Sequence, residues 1–113
     1  MNIGIIGSRT FLDYQTLKSV ITGFNVKEID NIISGGAKGA DSLGKKFANE
    51  YNIGLIEFLP DWSIGRRAGF VRNRNIIKKS DFVFVFWDGS SWGTKNSIDL
   101  CHTLKKSYFC YIY

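Results

Sequence analysis

Asn31-Ile32-Ile33-Ser34-Gly35-Gly36-Ala37-Lys38-Gly39-Ala40-Asp41 joins a short apolar run to a glycine-rich turn and then to the start of an amphipathic stretch. That is the sequence form of a buried parallel strand leading into a helix. Glycine in such a turn lets backbone amides approach an anion closely, and the helix behind it adds the positive end of its dipole. The form recurs at Phe86-Trp87-Asp88-Gly89-Ser90-Ser91-Trp92-Gly93-Thr94. Two such turns on two different strands predict one site, because a parallel sheet brings its strand C-termini to a common edge and ligands bind where the strand order reverses.

Outward from these turns, apolar runs alternate with amphipathic stretches along the whole chain, the βαβα pattern of an α/β protein. Strands are predicted at Ile3 to Ile6, Asn31 to Ile33, Gly54 to Phe58, Asp81 to Trp87 and Tyr108 to Tyr113. Leu17, Val20, Ile21 and Phe24 mark one helical stripe, with Asp13 placed to cap it, and Ala40, Leu43, Gly44, Phe47, Ala48 and Tyr51 mark a second. A third helix is expected over Arg67 to Lys79 and a fourth over Thr94 to Lys106. Right-handed crossovers then give a three-layer Rossmann-like sandwich with a five-stranded parallel sheet of order 3-2-1-4-5, its switch point between the first and fourth strands. The length of 113 residues is that of one domain.

Hydrophobic residues make up 44% of the chain and aromatics 15%, which excludes a disordered chain. No apolar stretch is long enough to span a bilayer, and Met1-Asn2-Ile3-Gly4-Ile5-Ile6-Gly7 reads as a first strand rather than an export leader. A cytoplasmic protein with two free thiols, Cys101 and Cys110, is expected, and no membrane partner. The net charge of +5 suits an anionic ligand without choosing between a small molecule and a nucleic acid.

A helix between parallel strands begins at the ligand edge and runs away from it, which filters the candidates. Lys78 stands about eleven residues, or roughly 16 Å, beyond Arg67, so Lys78 and Lys79 are assigned to solvated surface. Arg72 is the preferred phosphate ligand, since guanidinium meets phosphate bidentately; Arg66 and Arg67 are divided between binding and surface. Asp41 suits either a ribose hydroxyl or the dipole of its own helix. Asp61 is assigned to a turn; Trp62, Trp87 and Trp92 could each stack on a base, with Trp87 assigned to packing and Trp92 the better stacking candidate. His102, late in the last helix, is assigned to surface or packing, which leaves no Ser-His-Asp arrangement.

Ile6-Gly7-Ser8-Arg9-Thr10-Phe11, the turn Ser34 to Asp41, Arg67-Ala68-Gly69 with Arg72-Asn73-Arg74, and Phe86-Trp87-Asp88-Gly89 with Gly93-Thr94 together resemble the YspA-type SLOG proteins over nearly the whole chain. SLOG domains are Rossmann-like relatives of the LOG phosphoribohydrolases and of the DprA recombination mediator. The resemblance implies binding of a nucleotide or an NAD- or ADP-ribose-derived ligand, by a sensor or a sequestering protein. The ligand-binding residues it implies, with the two turns, are Gly7, Ser8, Arg9, Thr10, Gly35, Gly36, Gly39, Ala40, Asp41, Arg67, Arg72, Asn73, Asp88, Gly89, Trp92, Gly93 and Thr94. Against the LOG signature, Arg72 keeps the arginine, Asn73 replaces a lysine, and Ser97 stands where a glutamate is expected. The N-glycosidic hydrolase alternative therefore lacks its carboxylate, with Asp88 the better spare. DprA-like DNA binding is the other alternative. Because the sequence has no base-reading motif and no aromatic–basic repeat, a nucleotide-like small molecule is the expected partner and nucleic acid is not. The resemblance also implies a homodimer or higher homo-oligomer. No cofactor is expected beyond Mg²⁺ accompanying a phosphorylated ligand.

Overall fold

A computed structural model describes all residues, 1–113. The element order is β1 (Asn2–Gly7), α1 (Tyr14–Thr22), β2 (Asn31–Ser34), α2 (Ala40–Glu50), β3 (Gly54–Glu57), α3 (Ala68–Lys79), β4 (Phe82–Trp87), α4 (Trp92–Thr103) and β5 (Ser107–Ile112), with short 3-10 turns at Val26–Glu28 and Trp62–Ile64. The strands form one parallel sheet of order β3-β2-β1-β4-β5, as the sequence predicts. Ile3 pairs with Ile32 on one side and Phe82 on the other, which places β1 at the centre.

Both faces of the sheet are covered, which is why its central strands are apolar at every position rather than alternately. Ile3, Ile5, Ile32, Phe84 and Phe86 pack under Leu17 and Ile21 of α1 and Phe47 of α2. On the opposite face Ile6, Ile33, Val83 and Val85 pack under Ile76 and Ile77 of α3 and Cys101 of α4. Every one of these side chains is at most 4% exposed.

The start of α1 follows its sequence signal. Asp13 accepts from the Thr16 amide at 3.1 Å and from the Thr16 hydroxyl, satisfying an amide that the helix leaves open. The fourth helix departs from expectation, beginning at Trp92 and ending at Thr103 rather than at Lys106. Lys105 takes φ 53°, and the amides of Lys105 and Lys106 turn back onto the carbonyls of His102 and Cys101. That closure normally uses glycine, so the sequence carries no stop signal there. His102 lies exposed at this end, its Nε2 2.9 Å from the Tyr108 hydroxyl, and Lys78 and Lys79 are exposed at the end of α3, so all three lie away from the switch point.

Candidate functional site

The loops after β1 and β4 are tied together at the switch point. The Ser8 amide donates to Phe86 O at 2.9 Å, extending the ladder past the end of β1. The Ser8 hydroxyl accepts from the Asp88 amide at 3.2 Å and lies 2.8 Å from Ser91 Oγ and 3.5 Å from Thr94 Oγ1. Above this hydroxyl cluster opens a cavity of about 440 Å³. Among the residues proposed from sequence, Gly7, Ser8, Arg9, Thr10, Asp41, Arg72, Asn73, Asp88, Gly93 and Thr94 line it. Gly35 and Gly36 line an adjoining cavity of about 530 Å³.

Gly39, Ala40, Arg67, Gly89 and Trp92 line neither cavity. Ala40 is fully buried beneath Gly7, where a Cβ on the glycine would lie 2.6 Å from the alanine Cβ. Gly39, at φ 79°, backs onto the main chain of Ser8 and Arg9, so it serves the approach of α2 to β1. Arg67 is an exposed residue at the start of α3. Trp92 opens α4 with its side chain 83% exposed.

The chain's own carboxylates take some of the amides of the two glycine turns. Asp41 Oδ2 accepts from the Ala37 amide at 3.2 Å. Asp88 Oδ1 accepts from the amides of Ser90 at 2.9 Å and Ser91 at 2.7 Å. The two carboxylates are shifted in opposite directions. Burial pushes Asp41 up to about 6, against the pull of the Arg72 guanidinium and of the Ala37 and Gly35 amides, with Glu57 adding to the rise. Asp88 is held below the usual aspartate range by the Ser90 and Ser91 amides. Ser97, at the position of the expected glutamate, is fully buried and donates to Gly93 O at 3.1 Å, so it adds nothing to the cavity.

Positive charge in the cleft comes from side chains. Arg72 projects from α3 across Gly35, donating from Nη1 to Gly35 O at 3.0 Å and from Nε to Asn73 Oδ1 at 2.9 Å. A Cβ at position 35 would lie 2.5 Å from Arg72 Cδ, so glycine there makes room for the arginine. Both acceptors are neutral, and the guanidinium is oriented without being neutralised. Arg9 and Arg66 line the same cavity, and the ion pairs of the molecule, Met1–Asp30, Lys18–Glu50 and Lys95–Asp99, involve no arginine. Trp62 and Phe70 also line it, with 61% and 50% of their surfaces exposed.

Beyond the implied set, Ile6, Ala37, Ser91, Trp62, Arg66, Gly69 and Phe70 also line the first cavity; sequence divides Arg66 between binding and surface and counts Trp62 among the residues able to stack on a base, and it singles out neither Gly69 nor Phe70 for binding. The shared sequence signal of Trp62, Arg66, Gly69 and Phe70 is the mixed basic and aromatic run Trp62 to Phe70, which leads into the first turn of α3. Of the four helices that start at this edge, α2, α3 and α4 have no side-chain hydrogen bond capping them, whereas α1 has Asp13. The side chains form no group of three or more His, Cys, Asp or Glu placed to hold a metal ion. No helix is long and apolar enough to cross a membrane.

No protein-family model and no curated protein matches the chain. A solved DNA-processing protein shares its fold. DNA processing protein A from Helicobacter pylori, described for a unique mode of single-stranded DNA binding, superposes with a TM-score of 0.71 over 97% of this chain at 21% identity. The chain spans 64% of the length of that DNA processing protein A structure. At this identity the likeness to DNA processing protein A establishes a Rossmann-like fold. It also corrects the expectation that sets nucleic acid aside as a partner, since DNA processing protein A, which shares this fold, is described as binding single-stranded DNA. The expectation failed because it looked for basic and aromatic residues interleaved along the sequence. In the structure Arg9 after β1, Trp62 and Arg66 before α3, and Phe70 and Arg72 within it are interleaved in space.

Proposed function

We propose that this protein binds single-stranded nucleic acid in the cleft at the C-terminal edge of its sheet, through the sugar-phosphate backbone and the faces of unpaired bases. The observation that carries the reading is the set of arginines without carboxylate partners, Arg9, Arg66 and Arg72, standing among the exposed faces of Trp62 and Phe70. Guanidinium groups supply the phosphate contacts, and an exposed aromatic face stacks on any base that is not already paired. The likeness to DNA processing protein A and the basic balance of the chain support the same reading.

The test is fluorescence anisotropy with a labelled thymidine 20-mer. A strand touching about four phosphates should lose roughly fiftyfold in affinity between about 50 and 200 mM salt. Arg72→Ala should weaken binding about tenfold or more, while the double change Lys78→Ala with Lys79→Ala leaves it unaltered. Binding that depends on the two lysines and not on Arg72 would place the strand on the outer surface and end this proposal.

A second reading, a nucleotide-like small molecule as the YspA-type motifs suggest, draws on the floor of the cavity. Asp41, Asn73 and Asp88 stand together there beneath a volume of about 440 Å³, within the range of small-molecule sites, and carboxylates suit ribose hydroxyls. Such a ligand, enclosed and carrying few charges, would bind with a shallow salt dependence, which separates it from a strand.

A further inference from the structure

The cleft has two lobes. The cavity of about 440 Å³ and the one of about 530 Å³ share Arg9, Ala37, Trp62 and Arg72 in their walls. The first lobe has a polar floor, with Ser8, Asp41, Asn73 and Asp88. The second is walled by Leu59 and Pro60 with Lys38 at hand, and Leu59 is 70% exposed where it lies over Gly36. The two cations common to both lobes therefore stand at the junction, with a body-sized space on either side of them.

A ligand that fills both lobes must carry its negative charge in the middle and a bulky group at each end. From this we infer that a phosphodiester lies across Arg9 and Arg72 with one nucleoside in each lobe, so the smallest ligand completing the site is a dinucleoside monophosphate. The inference rests on the nucleic-acid reading above and specifies its unit. Arg72 suits the task, because Gly35 O and Asn73 Oδ1 fix its plane and leave Nη2 free of a recorded partner at the junction. The lobes then divide the work. Hydroxyl, amide and carboxylate groups face the sugar and base edge of one nucleoside, while Leu59, Pro60 and Trp62 offer an apolar surface to the other base.

Displacement of a labelled thymidine 10-mer by thymidine 5′-monophosphate and by thymidylyl-(3′-5′)-thymidine tests this at one salt concentration. The dinucleoside monophosphate should displace at least about tenfold better, the return of one further stacked base. Charge predicts the reverse order, since a terminal phosphate carries nearly twice the charge of a diester near neutral pH. Leu59→Ala, at an exposed position, should remove most of that advantage, read as the ratio of the two competitors' displacement within the same variant. Equal displacement by the two competitors, with the 10-mer bound, would overturn the two-lobe assignment and leave the strand reading in place. Failure of the 10-mer itself to bind would overturn both.

Discussion

The two ends of the sheet handle charge in opposite ways. At the N-terminal end the groups satisfy one another. The Met1 ammonium donates to Glu28 O at 2.6 Å and Asp30 Oδ2 at 2.7 Å, the Asn2 amide donates to Asp81 Oδ2 at 2.7 Å, and Lys106 Nζ donates to Ser80 O at 2.5 Å. At the C-terminal end Arg9, Arg66 and Arg72 form no ion pair, three of the four helices start without side-chain caps, and Asp41 is buried against its preference for water. An end closed on itself serves stability. An end with oriented but unneutralised charge is built for an anion that comes from outside, and it gives up some stability to stay so.

The largest effect should come from emptying the open end of its junction charges. Arg9→Ala with Arg72→Ala should reduce affinity for a thymidine 20-mer by about a hundredfold or more in anisotropy, with a lowered but still cooperative thermal unfolding transition, since Arg9 is exposed and holds no ion pair while Arg72 gives up its hydrogen bonds to Gly35 O and Asn73 Oδ1 and its attraction for Asp41. An equal loss from Lys78→Ala with Lys79→Ala would erase the contrast between the two ends.

Asp41 sharpens the comparison through pH. Its folded value of about 6 lies above the ordinary aspartate value of 3.8, so the fold favours the protonated form. The stability this group contributes is present below pH 4 and is lost as pH rises through about 6. The gap between 3.8 and about 6 corresponds to about 3 kcal/mol. Asp41→Asn, whose amide oxygen can still accept from Ala37, should therefore stabilise the protein by about 2–3 kcal/mol in denaturant titrations at pH 7.5 and by little at pH 4. The same change removes a negative charge from the cavity and should tighten strand binding at neutral pH. A stability gain that is constant across this pH range would show that Asp41 is not the titrating group.

A smaller effect is expected from the aromatic wall. Trp62→Ala should weaken binding of the 20-mer about tenfold and leave the unfolding midpoint within a degree or two, because the side chain is 61% exposed. Quenching of tryptophan emission by the strand should fall with it. If Trp62→Ala binds normally while Trp92→Ala does not, the strand runs over the start of α4 instead.

Much of the fold was legible before the structure, for reasons that can be named. Ile3 to Ile6, Ile32-Ile33 and Val83 to Phe86 are apolar without alternation, which only a sheet covered on both faces requires, and each is followed by glycine and a helical stripe. Arg72 could be chosen over Lys78 and Lys79 because a helix between parallel strands has a known direction. The end of α4 was not legible, since Lys105 adopts a left-handed conformation that its residue type does not announce.

The sequence by itself determined the strand order, the edge at which the cavities open, and several residues of the β1 and β4 loops that line them, because these follow from local periodicity and from the handedness of crossovers. Only the tertiary structure decided that Asp41 and Asp88 accept from amides of the glycine turns, and that Trp62, Arg66 and Phe70 line one cavity with Arg9. A hydrogen bond between a side chain and a turn amide depends on ångström-scale placement. The meeting of segments from opposite halves of the chain depends on how the helices pack over the sheet, and no local pattern encodes either.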